Sequence, residues 1–355
     1  MPELVRPLGH EDVLRSLVRS ARDEKLPHAL LLTGPRGIGK FRAAVWLAAA
    51  LLCEEGGDAP CGKCGACTRV ARDSHADLFV LDHRASGQDR ISIHFVATRD
   101  PRPKDAYQGE PIESFLALRA EEGRGKFVIV READAMNEEA QNAFLKMLEE
   151  PRPGVHLVLE SGSPGGLLAT VRSRVVPVRM DALGEADCRA VLERLEAAGE
   201  ADDLGRASRM AAGAPGEALR LARRAAPQMQ DVLRQVLSGE TSAADGARAL
   251  FELDGDFPGR TASAERRTRA RMILDLGLEL LTDVERVAAG ADPEPLPHGD
   301  AAVQILDAAG AGRAPVVADV RGRRGLAEAW LRAREDLDLN LAPEGLVDRV
   351  LAAGR

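Results

Sequence analysis

The stretch GPRGIGKF, Gly34 to Phe41, has the residue types of a phosphate cradle with one departure. Its residues are Gly34, Pro35, Arg36, Gly37, Ile38, Gly39, Lys40 and Phe41. Glycines let successive backbone N–H groups turn inward on phosphate oxygens, and the following helix adds its N-terminal dipole. Lys40 would supply charge to the outer phosphates. The next position normally carries Ser or Thr, whose hydroxyl ligates magnesium. Here it is Phe41, which cannot. A second magnesium holder is normally an acid at the end of a neighbouring strand. In KFVIVREADAM, Arg131 stands at that place, with Glu132 next and Asp134 two residues on. Loss of both holders argues against hydrolysis more strongly than either alone, because the leaving diphosphate loses its main charge neutraliser. The loop is then either a rigid turn that starts a helix or a nucleotide cradle without turnover.

Four cysteines make a second constellation. Cys53, Cys61, Cys64 and Cys67 follow the spacing C-x7-C-x2-C-x2-C. Two-residue gaps let successive thiolates face one tetrahedral ion, and four thiolates leave no open coordination position. The pattern therefore predicts a structural zinc rather than a catalytic one, with a redox cluster or free thiols as the alternatives. Cys188 stands alone in a helical pattern and is expected to be buried.

Elements must position these groups. The runs ALLLT, LFVLD, KFVIV, VHLVLE and RVVPVR read as short strands between helical patterns. They predict a parallel sheet covered on both faces. Ala140, Ala143, Phe144, Met147 and Leu148 recur at helical spacing between Glu138 and Glu150, with Asn137 placed as N-cap. The polar, Pro-containing segment His83 to Glu113 reads as a long loop with some local structure. Beyond Met180 the strand signals stop. Ala/Leu-rich helical patterns follow, broken at AAGE and AAGAPGE, and later at DGDFPGR and ADPEPLPHGD. The predicted organisation is an α/β domain over 1–179, a small helical domain over 180–225 and an all-α domain over 226–355.

The chain has 355 residues, 45% of them hydrophobic, and a formal net charge of −8. An acidic chain is a poor autonomous binder of duplex DNA. No apolar run approaches the roughly 20 residues of a membrane span. The N-terminal MPELVRPLGHEDVL is interrupted by charge and Pro, so the sequence predicts no signal peptide, no membrane and a cytoplasmic location.

LPHALLLTGPRGIGK, EADAMNEEAQNAFLKMLEEPRPGVHLVLES, LLATVRSRVVPVR and DLDLNLAPEGLVDRVL together resemble the clamp-loader branch of the AAA+ proteins, in order and spacing. The resemblance covers most of the chain and is weakest over His83 to Glu113 and in the middle of the last domain. It implies a RecA-like α/β domain with a zinc module, a helical lid and a helical collar. RSRV is similar to that family's Ser-Arg-Cys motif, which makes Arg174 an arginine finger for a neighbouring subunit's ATP; Val175 stands in place of the Cys. The cysteine cluster resembles the family's zinc module, one residue short in the first gap. Gly216 falls where motor subunits carry a sensor Arg, with Arg220 one turn on. The polar sensor at a strand end is Ser161 or Ser163. The implied function is a non-hydrolysing subunit of the DNA polymerase III clamp loader. Its partners would be the gamma/tau motor subunits, the delta subunit, the sliding clamp and primed DNA. Its cofactors would be structural zinc and, without hydrolysis, ATP or ADP. Two other readings are an ATP-hydrolysing motor subunit, opposed by Phe41, Arg131 and Gly216, and a zinc-ribbon nucleic-acid module. The second has a thin electrostatic footprint, since only Lys63 and Arg69 are basic within or beside the cluster.

Overall fold

The computed structural model describes residues 4, 6–100, 102–104, 106–122, 125–195, 201–259, 261–339 and 341–354. The AAGE break falls within 196–200, outside the described residues. The chain divides into two compact units, Met1–Asp187 and Cys188–Arg355.

The first unit is built on five parallel strands: β1 (Ala29–Thr33), β2 (Leu78–Leu81), β3 (Lys126–Val130), β4 (Val155–Ser161) and β5 (Val176–Arg179). Their spatial order is β2-β3-β4-β1-β5. Every residue of β3 is buried, as both-face coverage requires. Pro177 sits in β5, an edge strand, where a missing N–H leaves no ladder bond unmade. Helix α1 (Glu11–Arg22) precedes the sheet, and α2 (Lys40–Leu52), α3 (Gly65–Ala71), α4 (Ile93–Val96), α5 (Ile112–Ala117), α6 (Glu138–Glu149) and α7 (Ala169–Arg172) lie in the connections between its strands. All five predicted strands form, with ends shifted by at most two residues.

The α6 helix starts where its sequence says. The Asn137 side chain accepts the Ala140 N–H at 2.9 Å, and Glu138 and Glu139 sit in the positive first turn. Ala140, Phe144 and Leu148 bury one stripe against Val128, Val130, Leu157 and Leu159 of the sheet. Asn137→Ala should cost about 1 kcal/mol, read as a lower urea midpoint with an unchanged slope.

The segment from His83 to Glu113 contributes more to the core than its polarity suggests. Ile91, Phe95, Val96 and Ile112 are buried in the cluster that covers β3 and β4. Ile91 bonds both ways to the chain ahead of α6, through Ala135 O and the Asn137 N–H, each at 3.0 Å. Tyr107 stacks on Phe95 with ring centroids 3.9 Å apart. These apolar residues lie singly among polar ones, so no periodicity announces them.

The second unit is helical throughout its described residues. After α8 (Glu185–Arg194), which crosses the division, come α9 (Ala201–Met210), α10 (Pro215–Arg223), α11 (Ala226–Leu237), α12 (Ala243–Glu252), α13 (Ala262–Ala288), α14 (Gly299–Gly310), α15 (Pro315–Ala318), α16 (Val320–Asp338) and α17 (Pro343–Ala353). The 27 residues of α13 span about 40 Å. Helices α14, α16 and α17 pack along it. Gly277 on α13 makes room for the fully buried Trp330 of α16: a Cβ there would lie 1.8 Å from the indole ring. Among the described residues, no helix is long and apolar enough to cross a membrane.

Candidate functional site: a modified phosphate loop and a four-cysteine cluster

The loop after β1 is shaped by its glycines. Gly34 has φ +143, and a Cβ there would stand 2.0 Å from the carbonyl of Met180, just past β5. Only glycine lets β1 pass its neighbour and turn at that point. Gly39, at φ +98, is the N-cap of α2. Lys40 is buried and turns back on its own loop, donating from Nζ to Gly34 O at 2.8 Å and Pro35 O at 2.7 Å. Burial pushes its pKa down, while Glu160 and Asp134 act in the opposite direction.

Phe41 and Arg131, the two departures from the metal-binding pattern, touch. The guanidinium carbon of Arg131 lies 4.3 Å from the centre of the Phe41 ring. The same guanidinium is ion-paired to Asp82 and lies 3.6 Å, at Nε, from Glu160 Oε1. Asp82 follows β2, Arg131 follows β3 and Glu160 belongs to β4, so one side chain ties three adjacent strand ends. Burial pushes the Glu160 carboxyl up; Arg131 and Lys40 act against that shift. These residues do not fit magnesium, since a phenyl ring and a guanidinium occupy the positions of its holders.

Glu132 adopts a left-handed backbone, φ +47, and pairs with Arg36 at 2.8 Å and Arg84 at 2.7 Å. Asp134 accepts the Ser161 hydroxyl at 2.5 Å, and Ser161 Oγ accepts the Ser163 N–H at 3.0 Å. Ser161 is the buried last residue of β4; Ser163 lies beyond the strand.

Arg174 lies between α7 and β5, half-exposed. Its guanidinium pairs with Glu149, the last residue of α6, at 2.9 Å and donates to Thr170 O at 3.0 Å. In the second unit, Gly216 is the second residue of α10, and Arg220 donates from Nε to both oxygens of Glu217, at 3.0 and 2.8 Å.

The four cysteines converge. Cys53 caps the C-terminus of α2, and Cys64 caps the N-terminus of α3 by accepting the Cys67 N–H. All four sulfurs lie within 4.8 Å of one another, with Cys53–Cys64 at 3.9 Å and Cys61–Cys67 at 4.0 Å. A tetrahedral ion with bonds of about 2.3 Å needs sulfurs about 3.8 Å apart. Backbone N–H groups of Cys61, Cys64 and Cys67 point at the sulfurs of Cys53, Cys61 and Cys64 at 3.3–3.4 Å. The N–H groups of Lys63 and Cys64 bring the Cys61 thiol down to about 7, whereas burial pushes Cys67 up. The cluster could hold a metal ion such as zinc, and its donors fit one. Cys188 is buried as expected, 3.4 Å from Ser208 Oγ.

Residues 9–184 match the family model described as DNA polymerase III, delta subunit. The delta-subunit match thus contains the whole sheet, the modified loop, the cysteine cluster and Arg174. The chain is 39% identical over 150 residues to the DNA polymerase III subunit delta' of Pseudomonas aeruginosa, which is 42% of this chain and 42% of that protein. It is 31% identical over 179 residues to subunit tau/gamma of Haemophilus influenzae, or 50% of this chain and 24% of that one. The chain therefore spans less than half the length of these curated relatives. A gamma subunit-related protein of Thermotoga maritima superposes with a TM-score of 0.47 at 14% identity, over 98% of each chain.

Sequence reasoning singled out Phe41 and Arg131 separately and missed Asp82 and Glu160, the carboxylates that hold Arg131. One signal was present: a charged residue ends each of the apolar runs LFVLD and VHLVLE. Knowing that they meet required the strand order.

Proposed function

We propose that this chain is the delta-prime subunit of a DNA polymerase III clamp loader, acting as a non-hydrolysing stator. The observation that carries the reading is the contact between Phe41 and Arg131 inside a region of delta-subunit ancestry. A chain whose metal-holding positions are filled by a ring and a guanidinium lacks the means to neutralise a leaving diphosphate. In this reading Arg174 reaches a neighbouring motor subunit's ATP as an arginine finger. Cys53, Cys61, Cys64 and Cys67 hold one structural zinc. Residues 180–225 form a lid and 226–355 a collar that joins the gamma/tau and delta subunits. The assembly would open the sliding clamp on primed DNA in the cytoplasm. The loop from Gly34 to Phe41 would at most hold ATP or ADP without turnover.

A second reading, the hydrolysing motor, is favoured by the likeness to subunit tau/gamma. Phe41, Arg131 and Gly216 oppose it, and Arg220 is already engaged by Glu217. Steady-state assays separate the two. The purified chain with ATP and magnesium should release phosphate no faster than the buffer blank. Robust magnesium-dependent hydrolysis by the chain alone would reject the stator.

A further inference from the structure

We propose that Arg131 is a built-in cation that permanently fills the place of a divalent ion at the rim of the sheet. Three observations converge on it. First, its guanidinium lies against the ring of Phe41, the residue that replaces the metal's hydroxyl ligand. Second, it faces two carboxylates, Asp82 and Glu160, that come from the strands on either side of its own. Third, its Nε is buried without a hydrogen bond and meets Glu160 only as an ion pair at 3.6 Å. A donor set of this kind is the charge environment of a cation, with the cation supplied covalently by the chain.

The physical consequence is a rim that needs nothing from solution. Two carboxylates that face one position from the strands on either side of β3 concentrate negative charge there unless a cation lies between them; Lys40 also acts on Glu160 but is turned onto its own loop. A metal ion does this reversibly and couples the rim to whatever the metal carries. A guanidinium does it always, because it keeps its charge at every accessible pH. Phe41 completes the arrangement by giving the guanidinium an aromatic face, which a solvated Ser or Thr would not. Phe41 and Arg131 are thus one replacement made in two places. This inference rests on the geometry of the rim and not on the clamp-loader reading.

The test is a thermal-unfolding series on the full chain in chelator-free buffer, with and without millimolar magnesium. Wild type should show the same midpoint in both. Arg131→Ala should lower the midpoint by about 5 °C, and magnesium should restore part of that loss by occupying the vacated position between the acids. Arg131→Ala combined with Asp82→Asn and Glu160→Gln should regain most of the midpoint and ignore magnesium, since the two carboxylates that faced Arg131 are gone. If Arg131→Ala does not fold, the triple variant carries the test: a folded triple variant supports the proposal, an unfolded one overturns it. An Arg131→Ala chain that responds to magnesium no more than wild type overturns it too. So does a triple variant as unstable as the single one.

Discussion

Arg174→Ala should slow ATP turnover in the assembled loader while leaving this chain folded and able to assemble. The side chain lies between α7 and β5, half-exposed, and its partners are surface groups, Glu149 and the Thr170 carbonyl. Losing an exposed ion pair costs at most about 1 kcal/mol, too little to unfold a domain of this size. In the proposed role, the cost should fall instead on the neighbour's chemistry. An arginine supplied in trans neutralises charge spreading over the transferred phosphoryl group and is worth about 10³–10⁵ in rate where measured best. Total turnover should fall by much less than that factor, because other subunits keep their own sites. Arg174→Lys should substitute poorly, being a point charge without the planar fork. The measurement is DNA-stimulated hydrolysis by reconstituted motor subunits, clamp and primed DNA, with assembly checked by size-exclusion chromatography. Equal rates for wild type and Arg174→Ala would reduce Arg174 to a junction residue tied to Glu149. The pairing with Glu149 adds a detail to the proposed role: to act as a finger, Arg174 would have to exchange that carboxylate for a phosphate.

Removing the metal should have the larger effect on stability, confined to one region. One zinc per chain is expected on Cys53, Cys61, Cys64 and Cys67. Structural zinc sites contribute about 10–16 kcal/mol of apparent binding energy in isolated peptides. Cys64→Ser is the informative substitution, because Ser is itself a good N-cap. The variant keeps the start of α3 and loses only the thiolate. Metal content should fall from one equivalent towards zero. Amide exchange should accelerate over 53–71 and over the loop at Glu121 and Glu122. That loop is coupled to the module through the ion pair of Arg69 with Glu122, and Glu122 also faces His75 at 3.2 Å. The helical second unit should keep its protection. A wild-type chain purified without chelator that carries no zinc and shows four titratable thiols would reject the assignment.

The sheet was readable because its inner strands centre on short apolar stretches, Leu30–Leu32, Phe127–Val130 and Leu157–Leu159, and burial on both faces demands such stretches. The cysteine cluster was readable because ligand spacing is a local property of the chain. What could not be read depends on which distant segments become neighbours. Asp82, Arg131 and Glu160 are far apart in sequence and meet only because β3 lies between β2 and β4. The turn of Lys40 onto Gly34 and Pro35 is a competition between a phosphate cradle and its own carbonyls, and the same residues serve both. Ile91, Phe95 and Ile112 were read as loop because isolated apolar residues in a polar stretch carry no period. Their burial follows from the exposed face that β3, β4 and α6 would otherwise present.

The place of β1 in the sheet has a consequence during synthesis. Its pairing partners are β4 and β5, and the first of these begins about 120 residues after β1 ends. At ordinary translation speeds of about 5–20 residues per second, the nascent strand waits roughly 6–25 s for a partner. During that time β2 and β3 can pair with each other, but ALLLT can only stay unpaired or pair wrongly. Ribosomal pausing before Val155 would lengthen this exposure, and pausing after Arg179 would not. Synonymous codon changes that slow translation between residues 34 and 155 should therefore lower the soluble yield, whereas the same slowing within the helical second unit should not.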